Sequence, residues 1–184
     1  MLKITAGKFK GRSVYTIKAP GYRPATSRVR ESLFSILGSL GVVWTEVNCL
    51  DIFAGSGVLG FEVLSRGGKK AYFVEKSFKA CQNIYRTALE LKLSKDSFKI
   101  LKGDGFKLLK EYEFANKFNL IFVDPPYGFN YFAPMLELVL TKDLLAEEGF
   151  LVAEVEKNLS PQTDKLYLVR EKQFGQTRVY IWKK

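Results

Sequence analysis

The chain has 184 residues, the length of a single domain, and 47% of them are hydrophobic, a composition typical of folded globular proteins. Histidine is absent, which excludes catalysis by Ser-His or Cys-His pairs, and the two cysteines, Cys49 and Cys81, lie far apart, so we expect no metal site. The net charge of +10, a start without a signal sequence and apolar runs too short to span a membrane predict a cytoplasmic protein with a polyanionic partner and no membrane contact.

The first thirty residues are strongly basic, with eight lysines and arginines and no acid. Residues 2–6 and 12–18 predict two short strands joined by a glycine-flanked basic turn. The apolar spacing that follows predicts a helix with Ser27 as its N-cap and Gly41 as its stop. We expect residues 1–41 to form a basic extension that faces nucleic acid, and a solvated basic tail is the alternative interpretation.

Beyond this extension, short apolar runs alternate with helical patterns, which predicts a doubly wound, mostly parallel sheet with right-handed crossovers. We assign residues 42–184 to this α/β domain. Two further strands around Gly175, without a helix between them, predict a closing antiparallel hairpin at the edge of the sheet. The predicted strands are 47–53, 71–74, 98–101, 120–123, 150–155, 166–170 and 178–182, and the predicted helices are 58–66, 77–92, 104–112 and 131–145.

A glycine-rich segment follows the first strand of the alternation, where ligands of such sheets bind. Gly55, Gly57 and Gly60 match the dinucleotide fingerprint, and Glu75, which ends the next strand, can accept hydrogen bonds from both ribose hydroxyls. These features fit nicotinamide dinucleotides and S-adenosylmethionine equally well. Asp51, placed before the glycines, would repel a pyrophosphate but would suit the cationic methionine end of S-adenosylmethionine.

S-adenosylmethionine is therefore the predicted cofactor, and S-adenosylhomocysteine the product. Asp104 follows the third strand and can accept a hydrogen bond from the adenine amino group. Three structural alternatives stay open: Asp51 as an acceptor for loop amides, Glu75 as a surface acid, and Asp104 as a helix N-cap. The predicted cofactor-binding residues are Asp51, Phe53, Ala54, Gly55, Ser56, Gly57, Glu75, Asp104 and Gly105.

The catalytic residues are predicted where the apolar strand 120–123 ends in Asp124-Pro125-Pro126-Tyr127. The Asp124 carboxylate and the Pro125 carbonyl can accept both hydrogens of an exocyclic amine and aim its lone pair at the sulfonium methyl. The prolines fix the backbone direction, and Tyr127 offers a flat surface on which a base can stack. This pattern predicts methylation of a nucleic-acid base at an exocyclic amine.

The chain resembles the RsmD family of bacterial methyltransferases, which modify a guanine N2 amine in small-subunit ribosomal RNA. The matching segments are Arg23-Pro24-x-Thr26-x-x-x-Arg30-Glu31-x-Leu33-Phe34, the loop from Asp51 to Glu62, Ser65-Arg66-Gly67 and Phe174-Gly175-x-Thr177-Arg178. The resemblance implies a Rossmann-like class I methyltransferase with a seven-stranded sheet. It implies that RNA, or the active-site mouth, is faced by the basic hairpin with Lys8, Lys10 and Arg12 and by Arg23, Thr26 and Arg30.

The expected partner is ribosomal RNA or a small-subunit assembly particle, bound by a monomer. Three other functions compete with this interpretation. The catalytic motif also fits an adenine-N6 methyltransferase acting on DNA or RNA, and the glycine loop fits a nicotinamide-dependent oxidoreductase. The third alternative is an RNA-binding module without catalysis.

Overall fold

The computed structural model describes residues 1–17, 26–126, 128–157, 159 and 163–184. Its main feature is a seven-stranded sheet in the order β5-β4-β3-β6-β7-β9-β8. The strands are β3 (Asn48–Ile52), β4 (Lys70–Glu75), β5 (Phe98–Lys102), β6 (Phe118–Val123), β7 (Leu145–Glu156), β8 (Tyr167–Phe174) and β9 (Thr177–Lys183).

The five strands β3 to β7 pair in parallel, while β9 pairs antiparallel with both β7 and β8. The predicted doubly wound sheet and its closing hairpin are therefore confirmed, with β8 as the edge strand. The helices between the strands are α2 (Val58–Ser65), α3 (Phe78–Glu90), α4 (Gly105–Glu111) and α5 (Phe132–Thr141).

The prediction of a helix over 131–145 is wrong at its C-terminal end. The helix stops at Thr141, and Asp143 adopts a left-handed conformation (φ 49°) that a helix cannot continue through. Leu145 then pairs with Phe118 as the first residue of β7. Leu145 thus belongs to the sheet and Leu144 to the turn before it, and spacing along the chain does not separate these apolar residues from the helix.

The two faces of the sheet are covered by two hydrophobic clusters. Leu33, Phe61 and Ile84 belong to the cluster on the face covered by α1 (Ser27–Ser39), α2 and α3. On the opposite face, residues such as Leu109 and Met135 bring α4 and α5 against the sheet. Because both faces are covered, the functional residues have to lie at the ends of the strands.

The N-terminal segment forms a short hairpin, β1 (Leu2–Lys3) with β2 (Ser13–Val14), followed by α1. Its strands are shorter than predicted, and the N-cap of α1 is Thr26 rather than Ser27, because the Thr26 hydroxyl accepts from the Val29 amide at 3.4 Å. Ile4 is buried in the same core as α2, so the hairpin packs on the sheet domain. None of the helices in the described part of the chain is long and apolar enough to cross a bilayer.

Candidate active site

The candidate site lies where the carboxyl ends of four parallel strands meet. Ile52 of β3 pairs with Val74 of β4 on one side and with Val123 of β6 on the other. Val123 in turn pairs with Ala153 of β7. One step further along each strand, at the same edge, stand Glu75, Phe53, Asp124 and Glu154.

The predicted glycine loop turns the chain from β3 into α2. Gly55 and Gly57 adopt left-handed conformations (φ 55° and 72°), which glycine tolerates without strain, and Ser56 is buried between them. Gly60 allows α2 to approach the sheet, because a Cβ at this position would lie 2.3 Å from the Phe73 ring. The loop thus leaves a close backbone turn directly beside the ends of β4 and β6.

Asp51 is buried inside this turn, with 2% of its surface exposed. Its Oδ2 accepts a hydrogen bond from the Gly60 amide at 3.2 Å, which is the structural role that the sequence left open. Burial raises the pKa of Asp51 to about 8, with the Gly60 bond lowering the pKa and the negative charge of Glu75 raising it. A cation bound at the loop would favour the ionised form of this carboxyl group.

Glu75 is bonded to the glycine loop and to the start of α3. Its Oε2 accepts from the Gly55 amide at 2.8 Å, and its Oε1 accepts from the Ser77 amide at 2.7 Å. The Ala54 amide donates to the Val74 carbonyl at 3.0 Å, which ties the same loop to β4. Each carboxylate oxygen retains a second lone pair, so Glu75 can still accept from ribose hydroxyls.

Asp104 is the N-cap of α4, because its Oδ1 accepts from the Lys107 amide at 3.0 Å. The structure thus shows the N-cap role that the sequence left open for Asp104. Its side chain is exposed at the same edge of the sheet as Glu75. The predicted role of Asp104 at the adenine stays a prediction.

An aromatic stack that the sequence did not predict lies beside the loop. Phe53, in a left-handed conformation (φ 62°), stacks on Tyr131 with ring centroids 6.2 Å apart. Tyr131 stacks in turn on the exposed ring of Phe129 at 5.2 Å. Gly105 is buried against Phe53, since a Cβ there would lie 3.5 Å from the Phe53 ring. The stack therefore connects the surface with the predicted cofactor-binding loop.

The predicted catalytic residues start at the carboxyl end of β6. Asp124 is partly exposed, Pro125 is buried and Pro126 is exposed, whereas Tyr127 lies outside the described residues. A small cavity of about 20 Å³ lies beside the two prolines, and Glu156 on its wall accepts from the Gly128 amide at 2.6 Å. The strand end therefore presents the partly exposed Asp124 next to the two prolines.

Glu154 is a further acid of the site that the sequence analysis missed. Burial, then the negative charges of Glu154 and of Asp51, raise the pKa of Asp124 well above its usual range. Burial raises the pKa of Glu154 to about 7, and a hydrogen bond from Thr177 lowers it. Its only signal in the sequence is a single acid within the apolar run 150–155.

Among the described residues, no lysine or arginine forms an ion pair with Asp51, Asp124 or Glu154. These three carboxyl groups form what we call the acidic edge. Within the same described part of the chain, no group of three or more histidine, cysteine, aspartate or glutamate side chains could hold a metal ion. The carboxylate oxygens of the acidic edge can accept hydrogen bonds and attract positive charge.

Arg30 does not face RNA, so the prediction for this residue is wrong. It is fully buried and forms an ion pair with Glu62 at 3.3 Å, and its Nη2 donates to the Lys3 carbonyl at 2.6 Å. Arg66 and the Thr5 hydroxyl also bind Glu62. We call this group the Glu62 cluster, and it joins α1, α2 and the N-terminal hairpin. A predicted contact at Arg23 lies outside the described residues.

The direction of α1 indicates where its N-cap, Thr26, lies. Arg30 forms an ion pair with Glu62, and one turn later in α1 the ring of Phe34 lies 4.2 Å from the Arg66 guanidinium. Helices α1 and α2 therefore run in the same direction, and the N-terminus of α1 lies at the edge where α2 begins, beside the glycine loop. RNA contact by Thr26 stays a prediction.

The basic turn, with Lys8, Lys10 and Arg12, lies at the opposite end of the sheet. The Lys8 amide donates to the carbonyl of Ser65, the last residue of α2, at 2.7 Å. Arg12 donates to the carbonyl of Glu90, the last residue of α3, at 2.8 Å. All three side chains are exposed, but the length of α2, about 12 Å, separates them from the glycine loop. The basic turn therefore does not line the active-site mouth.

A parallel sheet with a glycine turn after its first strand and an acid-Pro-Pro motif at the neighbouring strand defines the Rossmann-like methyltransferase fold. A family profile described as "Conserved hypothetical protein 95" matches residues 2–183, and the chain belongs to this family.

Sequence and structure comparisons agree over nearly the whole chain. The ribosomal RNA small subunit methyltransferase D of Haemophilus influenzae is 31% identical over 95% of this chain and 89% of its own length. A solved structure from Escherichia coli, described as a candidate methyltransferase, is 30% identical, with a TM-score of 0.85 over 100% of this chain and 97% of that one. A candidate methyltransferase complexed with SAH, 14% identical, has a TM-score of 0.70 over 96% of this chain and 52% of its own, and it supports the fold alone.

Proposed function

We propose that the chain transfers a methyl group from S-adenosylmethionine to the exocyclic N2 amine of a guanine in small-subunit ribosomal RNA. The observation that carries this proposal is the position of Asp124. Its carboxyl group stands at a strand end next to the glycine turn and has no ion-pair partner among the described residues. The relative that is named as a small-subunit methyltransferase supports ribosomal RNA as the substrate class.

The residues around the glycine turn fit the cofactor. The left-handed turn at Gly55 and Gly57 leaves the backbone open to a ligand, Glu75 faces the turn, and Asp51 supplies a negative charge for the cationic methionine end. When bound, the cofactor supplies a methyl group on a sulfonium centre, which an amine can attack directly. Asp104 and Gly105, at the start of α4, complete the adenine side in this proposal.

We assign the catalytic role to Asp124 and Pro125 at the end of β6. A cationic cofactor would favour the ionised form of Asp124, whose carboxylate would accept one amine hydrogen while the Pro125 carbonyl accepts the other, so that the nitrogen lone pair is held toward the methyl group. Transfer of the methyl carbon from sulfur to nitrogen would release neutral S-adenosylhomocysteine and leave a positively charged, acidic nitrogen, whose proton Asp124 or a solvent molecule would accept. No imidazole is required, which agrees with a chain that lacks histidine.

The remaining proposals concern the location of the protein, its oligomeric state and the form of its RNA substrate. The protein would act in the cytoplasm as a monomer on free RNA or on an assembly particle, with residues 1–41 as an extension of the methyltransferase domain. Taking the target base out of its stack costs a few kcal/mol, which contacts to the RNA backbone would offset.

The test is methyl transfer from labelled S-adenosylmethionine to three substrates: small-subunit ribosomal RNA, small-subunit particles and duplex DNA. Mass spectrometry of the digested nucleosides is expected to show N2-methylguanosine from an RNA substrate. N6-methyladenosine would instead support the adenine methyltransferase. Tight binding of NADH without binding of S-adenosylmethionine in calorimetric titrations would overturn the proposal in favour of an oxidoreductase.

A further inference from the structure

Glu154 shares the face and the level of Asp124, although the proposed reaction gives it no role. Val152 of β7 and Phe122 of β6 both pack in the core beneath α1, α2 and α3. Side chains alternate along a strand, so Glu154 and Asp124, two residues further on, point to this same side. The register of β6 and β7 places the two acids beside each other at the strand ends.

The closing hairpin holds Glu154 in place. The Thr177 hydroxyl lies on the same face of β9 as Val179, the residue that pairs with Glu154, and it donates a hydrogen bond to the Glu154 carboxylate. This hydrogen bond assigns a structural role to Thr177 in the Phe174-Gly175-x-Thr177 segment, for which the proposed reaction has no role. Glu154 is partly exposed, and it has no lysine or arginine partner among the described residues, so it retains acceptor capacity toward a ligand.

Guanine offers one more hydrogen-bond donor beside its amine. Its Watson–Crick edge carries the N1–H directly next to the N2 amine, and enzymes that extrude a base read this edge through hydrogen bonds. The proposed reaction assigns the two amine hydrogens to Asp124 and the Pro125 carbonyl and assigns no acceptor to the N1–H. Adenine presents an unprotonated N1 beside its own amine, and a carboxylate placed there would repel the N1 lone pair.

Building on the proposed function, we propose that Glu154 accepts the N1–H of the target guanine and thereby selects guanine over adenine. Thr177 acts as the positioning residue that orients the Glu154 carboxylate.

The test compares a guanine with 2-aminopurine at the target position of an RNA substrate. 2-Aminopurine keeps the amine but has an unprotonated N1. For the wild type, assayed at about pH 8.5 so that Glu154 with its pKa of about 7 is ionised, this replacement is expected to lower kcat/KM by roughly 10- to 100-fold, the range for losing a hydrogen bond to a charged group. In Glu154→Gln, the side-chain amide can donate to the unprotonated N1, so the loss is expected to shrink to less than about threefold.

Glu156→Gln is the matched control, because it removes the same charge from the same strand while Glu156 is bonded to Gly128. Its guanine preference should equal that of the wild type even if its overall rate falls. A ratio that is the same in Glu154→Gln and in the wild type would overturn the role of Glu154 alone. A wild type that methylates neither RNA would overturn the proposed function together with this inference.

Discussion

Two groups of acids in this protein differ in how their charges are balanced. In the Glu62 cluster, a fully buried carboxylate is surrounded by Arg30, Arg66 and Thr5, all from the chain itself. The acidic edge contains the buried Asp51 and the partly exposed Asp124 and Glu154, and no described lysine or arginine forms an ion pair with them. The first group joins structural elements, whereas the second has unused capacity for the charges and donors of ligands.

This difference indicates which acids are candidates for binding or catalysis. Carboxyl groups with strongly raised pKa values at the ligand-binding end of a parallel sheet are candidates for binding or catalysis. Burial raises the pKa of Asp51 to about 8 and that of Glu154 to about 7. The comparison predicts different effects of mutation in the two groups: loss of activity in the acidic edge and loss of stability in the Glu62 cluster.

The largest effect is expected for Asp124→Ala. Methyl transfer should fall at least a thousandfold, or about 4 kcal/mol, because the amine loses its charged acceptor. Cofactor affinity in calorimetric titrations should stay within a few-fold of the wild type. The free energy of unfolding should stay equal or rise, since a carboxyl group next to Glu154 and Asp51 is removed. Unchanged turnover would refute the catalytic role.

Arg30→Met tests the other side of the comparison. It leaves the buried Glu62 with Arg66 and Thr5 but without its second arginine, so we expect a loss of about 3 kcal/mol in urea denaturation. Arg86→Met is the matched control, because its ion pair with Glu90 is exposed and should contribute less than about 1 kcal/mol. Equal stability of the two variants would contradict the structural role of the cluster.

The pH dependence of the free energy of unfolding should reveal the raised pKa of Asp51 in the acidic edge. Asp51, with its pKa raised to about 8, keeps its proton in the folded protein while the unfolded chain releases it near pH 4. Its contribution is therefore fully present below pH 4 and is lost as the pH rises to about 8, by at most about 1.4 kcal/mol per pH unit. Urea denaturation from pH 5 to 8 should show this decline, and Asp51→Asn should make it shallower, while the raised pKa values of Glu154 and Asp124 keep part of it. Stability that rises with pH would contradict the buried, uncompensated state of Asp51.

The sequence predicts the elements of the fold better than the partners of its charged residues. Alternating apolar runs mark the strands, and the strand before Asp124 shows where the catalytic edge lies. Glu154 could not be recognised, because its position beside Asp124 depends on the pairing of β6 with β7, which no local pattern encodes. The family resemblance places Arg30 toward RNA, and no local pattern reveals its actual partner Glu62, which lies 32 residues away along the chain.

The smallest effect is expected at the basic turn, which lies at the far end of the sheet from the acidic edge. The double variant Lys8→Ala and Lys10→Ala should weaken RNA binding by only a few-fold and should reduce the slope of log affinity against log salt by about 0.7 for each lost phosphate contact. Turnover at saturating RNA should stay unchanged, because these side chains do not line the active site. Lys95→Ala, an exposed lysine outside the turn, is the control and should leave the slope as it is. A fall in turnover at saturating RNA, measured by methyl transfer, would show that the basic turn acts on the catalytic edge rather than on RNA held at a distance from it.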